Sequence, residues 1–410
     1  MHDEMRLEEL IQIILEALEQ KKYSQRTIKN YRIRFNRLLN IAKGMGTVYP
    51  SEELFNSFLN EAINPQSEKS NILKMRTYSR CINLLTSVME SGVLDCSRKK
   101  QGDISAPVDE PEFRLLLEDF LHQLTKKGLN DNTICSYKRI VSYFLIFCQE
   151  KGYTGLGGIK TNDVTKFIMS IYRNGYFKPT TITSALSGFR QFLSAHDHTK
   201  QFLLELPSRL PNERKIIEVY DEQELIAIND TLSSDALSKR DIAISKLLME
   251  TGLRGIDVCE LKLTDIDWDK DIIRIIQDKT KQPLNIPLRN SYGNAIVDYI
   301  LNERPDSDSE YLFLRSLAPY EKLEGAGAVW CILKLMEAKA GIRKEGRMAG
   351  SRFTRHNAAS TMLRAGLPMS DISAALGHKD PNIVTVYLST DDETLASCTL
   401  PIPPVRKRGV

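Results

Sequence analysis

Four separated stretches of this chain carry residue types that can do chemistry together. "TGLRGIDVCELKLTDID" holds Arg254 and, three residues on, Asp257, close to one face if a helix begins there. "IIRIIQDKTKQPLNIPL" puts Lys279 at the tip of an expected hairpin, from which a flexible ammonium can reach a neighbouring groove; Lys281 is its rival. "RFTRHNAAS" places Arg352 and Arg355 three apart with His356 directly after, so that of Arg355 and His356 one can face a ligand while the other packs inside. "LGHKDPNIVTVY", residues 376–387, holds His378 and Tyr387 nine residues apart. Singly, each has an ordinary explanation: a surface ion pair, an exposed turn lysine, a core tyrosine. Joint use requires elements that bring them together.

The local patterns supply such elements. Gly377 suits the left-handed position after a short helix starting at Ser370, and Asp380 with Pro381 reads as the N-cap and first residue of the next helix. His378 then sits between two helices, with Tyr387 about two turns into the second. Gly252 ends one helix and Arg254 opens another. Residues 272–277 and 283–288 read as strands flanking the turn "DKTKQ", a small antiparallel sheet within a helical domain.

Upstream the chain reads as helical. Ile28, Tyr31, Phe35, Leu38 and Leu39 form an apolar stripe, and Ile134, Tyr137, Val141, Phe144 and Leu145 repeat it 106 residues later, as do Thr27 and Thr133. Two related helical modules are expected, at 1–100 and 110–205, followed by a third domain at 216–400 and a proline-rich tail at 401–410. Polar, proline-containing linkers at 98–113 and 206–215 fit those boundaries. The fold class expected is mainly α with a small antiparallel sheet.

Bulk properties narrow the classes. At 410 residues, 42% hydrophobic and 27% charged, the chain can build two or three ordinary cores. No apolar run reaches membrane-span length, and the N-terminus is too acidic for a signal peptide, so a cytoplasmic location and no membrane partner are expected. Seven cysteines, with no CxxC, suit neither a disulfide framework nor a zinc site. "HDH" at 196–198 reads as a polar loop rather than a metal site. Net charge is only +3, yet Lys21 to Lys43 contains eight basic residues and no acidic one, which points to a polyanion or to a solvated helix face.

Taken together, Arg254 in "TGLRGID", Lys279 in a β-turn, Arg355 in "RFTRH", and His378 in "LGH" nine residues before Tyr387 resemble the tyrosine recombinase (phage integrase) family. The resemblance covers about 216–395 in detail and 110–205 as a pattern, where it implies a SAM-like core-binding domain. It implies a catalytic domain that cuts and rejoins DNA through a 3′-phosphotyrosine on Tyr387. Arg254, Arg355 and His378 would hold the phosphate, Lys279 would protonate the leaving 5′-oxygen, and Asp257 would orient Arg254 or its helix. Arg352 departs from the family's usual His or Lys; a guanidinium does not deprotonate, so it can bind phosphate but not act as a base. No ATP, metal or other cofactor is implied.

The expected partner is double-stranded DNA, held by Arg26, Lys29, Arg32, Arg34 and Arg37 in the first module and Lys138 and Arg139 in the second. Self-association into a tetrameric synaptic complex, with accessory DNA-bending proteins and exchanged C-terminal segments, also follows from the resemblance. A mobile-element integrase or transposase is the leading expectation. A resolvase for chromosome or plasmid dimers, a type IB topoisomerase and a catalytically inactive DNA-binding regulator are the alternatives.

Overall fold

The computed structural model describes residues 5–61, 68–96, 108–173, 177, 179–207, 218–342, 349–378 and 380. The chain divides into two compact units, one of Met1–Cys96 with Ile216–Val410 and one of Ser97–Lys215. As the patterns predict, helices dominate and one small sheet is present.

The first four helices are α1 (Leu7–Gln20), α2 (Gln25–Gly44), α3 (Glu52–Glu61) and α4 (Glu68–Ser91). Leu10, Ile14 and Leu18 of α1, Ile28, Phe35 and Leu38 of α2, Leu54 and Phe58 of α3, and Leu84 and Leu85 of α4 close one core. Charge is sorted by helix. α1 and α3 carry acidic residues and no basic one, whereas α2 carries Arg26, Lys29, Arg32, Arg34, Arg37 and Lys43 and no acidic one.

The other unit repeats the plan with α5 (Pro111–Lys126), α6 (Asp131–Glu150), α7 (Asp163–Arg173) and α8 (Pro179–Ala195), followed by the short α9 (Asp197–Lys200). Its core is aromatic, with Phe144 against Phe167 and Phe189, and Phe120 edge-on to Phe192. The local devices match the first bundle position for position. The side chain of Ser24 caps α2 and that of Asn130 caps α6. Lys22 and Gly128, each between the first and second helices of its bundle, both take positive φ, as do Gly46 and Gly152 after the second helix.

The remaining segments form one larger core, with a small separate cluster of Ala359, Ile372 and Leu376 where the last two helices meet. In order they are α10 (Glu222–Leu232), α11 (Lys239–Thr251), α12 (Gly255–Cys259), β1 (Ile266–Asp267), β2 (Ile272–Ile276), β3 (Pro283–Pro287), α13 (Asn290–Asn302), α14 (Gly325–Lys339), α15 (Ser351–Arg364) and α16 (Met369–Leu376). The sheet has order β1-β2-β3, antiparallel throughout, with Ile273 opposite Ile286 and Ile275 opposite Leu284. Side chains along a strand alternate in facing, so Ile273 and Ile275 enter the core while Arg274 and Ile276 stay exposed. α11 packs against α13, α14 and α15, which places the ends of α11, α15 and α16 close together.

Candidate active site

Arg254 is the N-cap residue of α12, held there by Gly252, which terminates α11 in the left-handed conformation at φ 64°. Glycine is required at 252 for space as well as for φ. A Cβ there would lie 2.8 Å from Leu376 Cδ2 and 3.1 Å from Ala358 Cβ. This tight approach is how α11, α15 and α16 converge.

Arg355 lies on the inward face of α15 and is 6% exposed. Its Nη1 donates to the Gly252 carbonyl at 3.0 Å and its Nη2 to the Leu376 carbonyl at 2.6 Å. One guanidinium therefore clasps the residue two before Arg254 and the residue two before His378. A buried cation needs such acceptors, and helix-terminal carbonyls provide them with the favourable end of the backbone dipole.

His378 follows Gly377, the left-handed cap of α16, and its N–H donates to Ser373 O at 3.0 Å. Burial pushes the imidazole down to about 4, and Arg355, Arg254 and His356 push in the same direction. It is therefore neutral at physiological pH, with one N–H to donate. Its Nδ1 is enclosed and has no hydrogen-bond partner among the described residues. His356, on the same helix as Arg355 and 7% exposed, is likewise pushed to about 4 by burial, Arg352 and Arg355. Arg352 itself is exposed.

Asp257 is buried, and its Oδ1 accepts the Asp278 N–H at 2.9 Å. Its direct bond thus runs to the hairpin turn, not to the Arg254 side chain. Burial raises its pKa, opposed by the Asp278 N–H and by the nearby charges of Arg254 and Arg355. The turn it supports, residues 278–280, carries Lys279, which is exposed. Its rival Lys281 is tied to Asp278 Oδ1 at 2.7 Å and has φ 52°. Tyr387, together with the helix start expected at Pro381, lies outside the described residues.

Residue types alone do not single out Gln277, yet it is wholly buried at the centre of the cluster. A signal for it exists. Ile273 and Ile275 are inward positions of β2, Gln277 just past its end continues the alternation, and an amide at an inward position calls for partners.

The N-terminal candidates sit elsewhere and in another environment. Arg26, Lys29, Arg32 and Arg37 are exposed on α2 and Arg34 is half-buried. A cleft of about 500 Å³ between α2 and α4 is lined by Asn30, Arg34, Arg37, Lys74 and Thr77, among others. Arg37 is paired with Glu61, and Arg34 Nη1 donates to Asn30 O at 2.6 Å. Lys21 and Lys22 lie 3.5 Å from Glu321 and Asp306 and so do not belong to that cleft. In the second bundle, Arg139 stacks its guanidinium on Phe177 at 5.1 Å and on Tyr143 at 5.8 Å.

The chain matches known proteins over the same segments. The phage integrase family profile matches residues 218–394, and the phage integrase N-terminal SAM-like domain matches residues 117–197. A protein of Sinorhizobium fredii named "Putative integrase/recombinase y4gC" is 31% identical over 183 residues, which are 45% of this chain and 93% of that protein. This chain belongs to the phage integrase family. Tyrosine recombinase XerD of Listeria innocua is 27% identical over 285 residues, 66% of this chain and 93% of XerD. Among solved structures, the XerH site-specific recombinase bound to its difH substrate shares the fold. Its TM-score is 0.55 at 16% identity, over 73% of this chain and 99% of that one. A lambda integrase tetramer bound to a Holliday junction gives a TM-score of 0.52 at 16% identity, over 79% of this chain and 88% of that one. As a family member this integrase is a tyrosine-type site-specific recombinase. Neither family match reaches α1 to α4.

Proposed function

We propose that this recombinase cuts and rejoins duplex DNA through a covalent bond between Tyr387 and a 3′-phosphate. The observation that supports it most is the meeting of Arg254, Arg355 and His378, drawn from three segments, in a network anchored on backbone carbonyls. In the reaction, the Tyr387 phenolic oxygen bonds to phosphorus. The P–O5′ bond breaks, its electron pair leaves with O5′, and Lys279 donates the proton that O5′ takes up. Negative charge accumulates on the non-bridging oxygens. Two guanidiniums, charged at every working pH, and the N–H of neutral His378 meet it. Arg352 binds phosphate and takes no proton; water or a phosphate oxygen accepts that of Tyr387. Asp257 holds the hairpin turn in register with Arg254 through the Asp278 N–H.

The assembly is a tetramer on DNA, in keeping with the lambda integrase tetramer of the same fold. The two helical bundles are related modules, and exposed cations on α2 add phosphate contacts. The extra bundle and the kinship with integrases favour a mobile-element enzyme acting in the cytoplasm. Among the described residues no helix is long and apolar enough to cross a membrane. The test is a suicide DNA substrate carrying a 5′-bridging phosphorothiolate. The wild-type protein accumulates a covalent DNA adduct and Tyr387→Phe forms none; an adduct that persists in the variant refutes the assignment.

A further inference from the structure

The Gln277 side chain bonds to three elements at once. Its Oε1 accepts from Arg254 Nη1 at 2.9 Å and from Thr280 Oγ1 at 2.8 Å, while its Nε2 donates to Leu376 O at 3.0 Å. The amide orientation is fixed by its partners. Arg254 can only donate and a backbone carbonyl can only accept, so the oxygen must face the first and the nitrogen the second. Leu376 O takes its other bond from Arg355. Gly377 lies flat against the same amide: a Cβ there would come 2.5 Å from Gln277 Oε1.

One amide thus touches the start of α12, the hairpin turn and the end of α16, which carry Arg254, Lys279 and His378 respectively. A primary amide can accept from a guanidinium through its oxygen and donate to a carbonyl through its nitrogen without carrying charge. A glutamate would accept but not donate, and its charge would be spent on Arg254.

We infer that Gln277 is a positioning residue for strand transfer, setting Arg254 and the Lys279 turn in a fixed relation. It keeps the Arg254 fork aimed while leaving its charge uncompensated for phosphate. Through Thr280, the residue next to Lys279, it holds the general acid at the leaving oxygen. This inference rests on the assignment of the reaction above and adds to it a residue that touches no reacting atom.

The experiment measures single-turnover adduct formation at saturating DNA on two substrates, one ordinary and one with the 5′-bridging sulfur. Sulfur leaves as a thiolate and needs no proton, so a misplaced acid is bypassed while a misplaced arginine is not. Wild type and Tyr387→Phe report on the reaction assignment independently of Gln277. Gln277→Met is expected to be about 10- to 100-fold slower on ordinary DNA, at or below the effect of deleting one charge-stabilising donor outright. On the sulfur substrate the deficit shrinks at least several-fold, with the DNA dissociation constant unchanged. Gln277→Glu, nearly isosteric, guards against a folding defect. It is expected to be more than about 10-fold slower on both substrates, because it weakens the arginine's charge rather than the acid. A Gln277→Met deficit under two-fold, a deficit equal on both substrates, or a Gln277→Glu variant as fast as wild type overturns the inference.

Discussion

Two sets of cations in this chain stand in opposite settings. Arg355 is buried and Arg254 and His378 are half-buried beside it, and the two guanidiniums are fixed by carbonyls and one amide. The cations of α2 stand mostly in solvent, one paired with Glu61 and one with its own helix. Fixed, desolvated donors stabilise a particular charge distribution without reorganising, which is what a transition state needs. Exposed, screened cations supply attraction without geometry, which is what holding a polyanion needs. The same residue type serves both ends because the surroundings differ.

The sharpest way to break that contrast is to remove a buried member. Arg355→Ala should slow adduct formation at saturating DNA by about 10² to 10³-fold. It should also lower the melting temperature, because the Gly252 and Leu376 carbonyls lose a charged donor. A loss of affinity at unchanged single-turnover rate would place Arg355 with the exposed set instead.

The pH response separates the two sets next. His378 and His356 are both held near 4 in the folded protein, below the ordinary value of about 6.5. Each group binds a proton more readily unfolded. Their contribution is therefore fully present above about pH 6.5 and lost as pH falls through 4. Thermal denaturation should show the midpoint dropping over that window. An anion in the site reverses part of the shift: nitrogen NMR of His378 should show its titration moving upward by about one unit or more when orthovanadate binds. A histidine indifferent to the anion would not belong to the phosphate cluster.

The smallest effects belong to the surface. Replacing Arg32 and Arg34 with Gln should reduce the slope of log affinity against log salt by up to about 1.8, about 0.9 for each phosphate no longer neutralised. The chemical rate at saturating DNA should not change. Arg139→Gln should alter the slope less, since that guanidinium is engaged with Phe177 and Tyr143. A rate effect from the α2 variants would show that the two sets are coupled.

What the sequence discloses follows the same division. Residue identity and order single out Arg254, Arg355 and His378, and the fold brings these three near one another. Periodicity reveals the helices, the hairpin and the repeat of Ile28 and Tyr31 at Ile134 and Tyr137. It does not reveal which partner each buried group has. The expected role of Asp257 is to orient Arg254 or its helix; the bond by which it ties that helix to the hairpin, to Asp278 N–H, is a pairing that local pattern does not encode. Gln277 reads as the end of a strand because its meaning lies in contacts 23 and 99 residues away. Arg139 reads as a cation for DNA, and nothing nearby in the chain signals that two rings also lie beside it.

The bonds described above for Arg254, Arg355 and Gln277 close between Gly252 and Leu376. Protein engineers can treat that span as one cassette. Chimeras joined after His378 would leave its internal wiring whole, whereas a junction placed between the hairpin and α16 would pair an amide from one parent with a carbonyl from another.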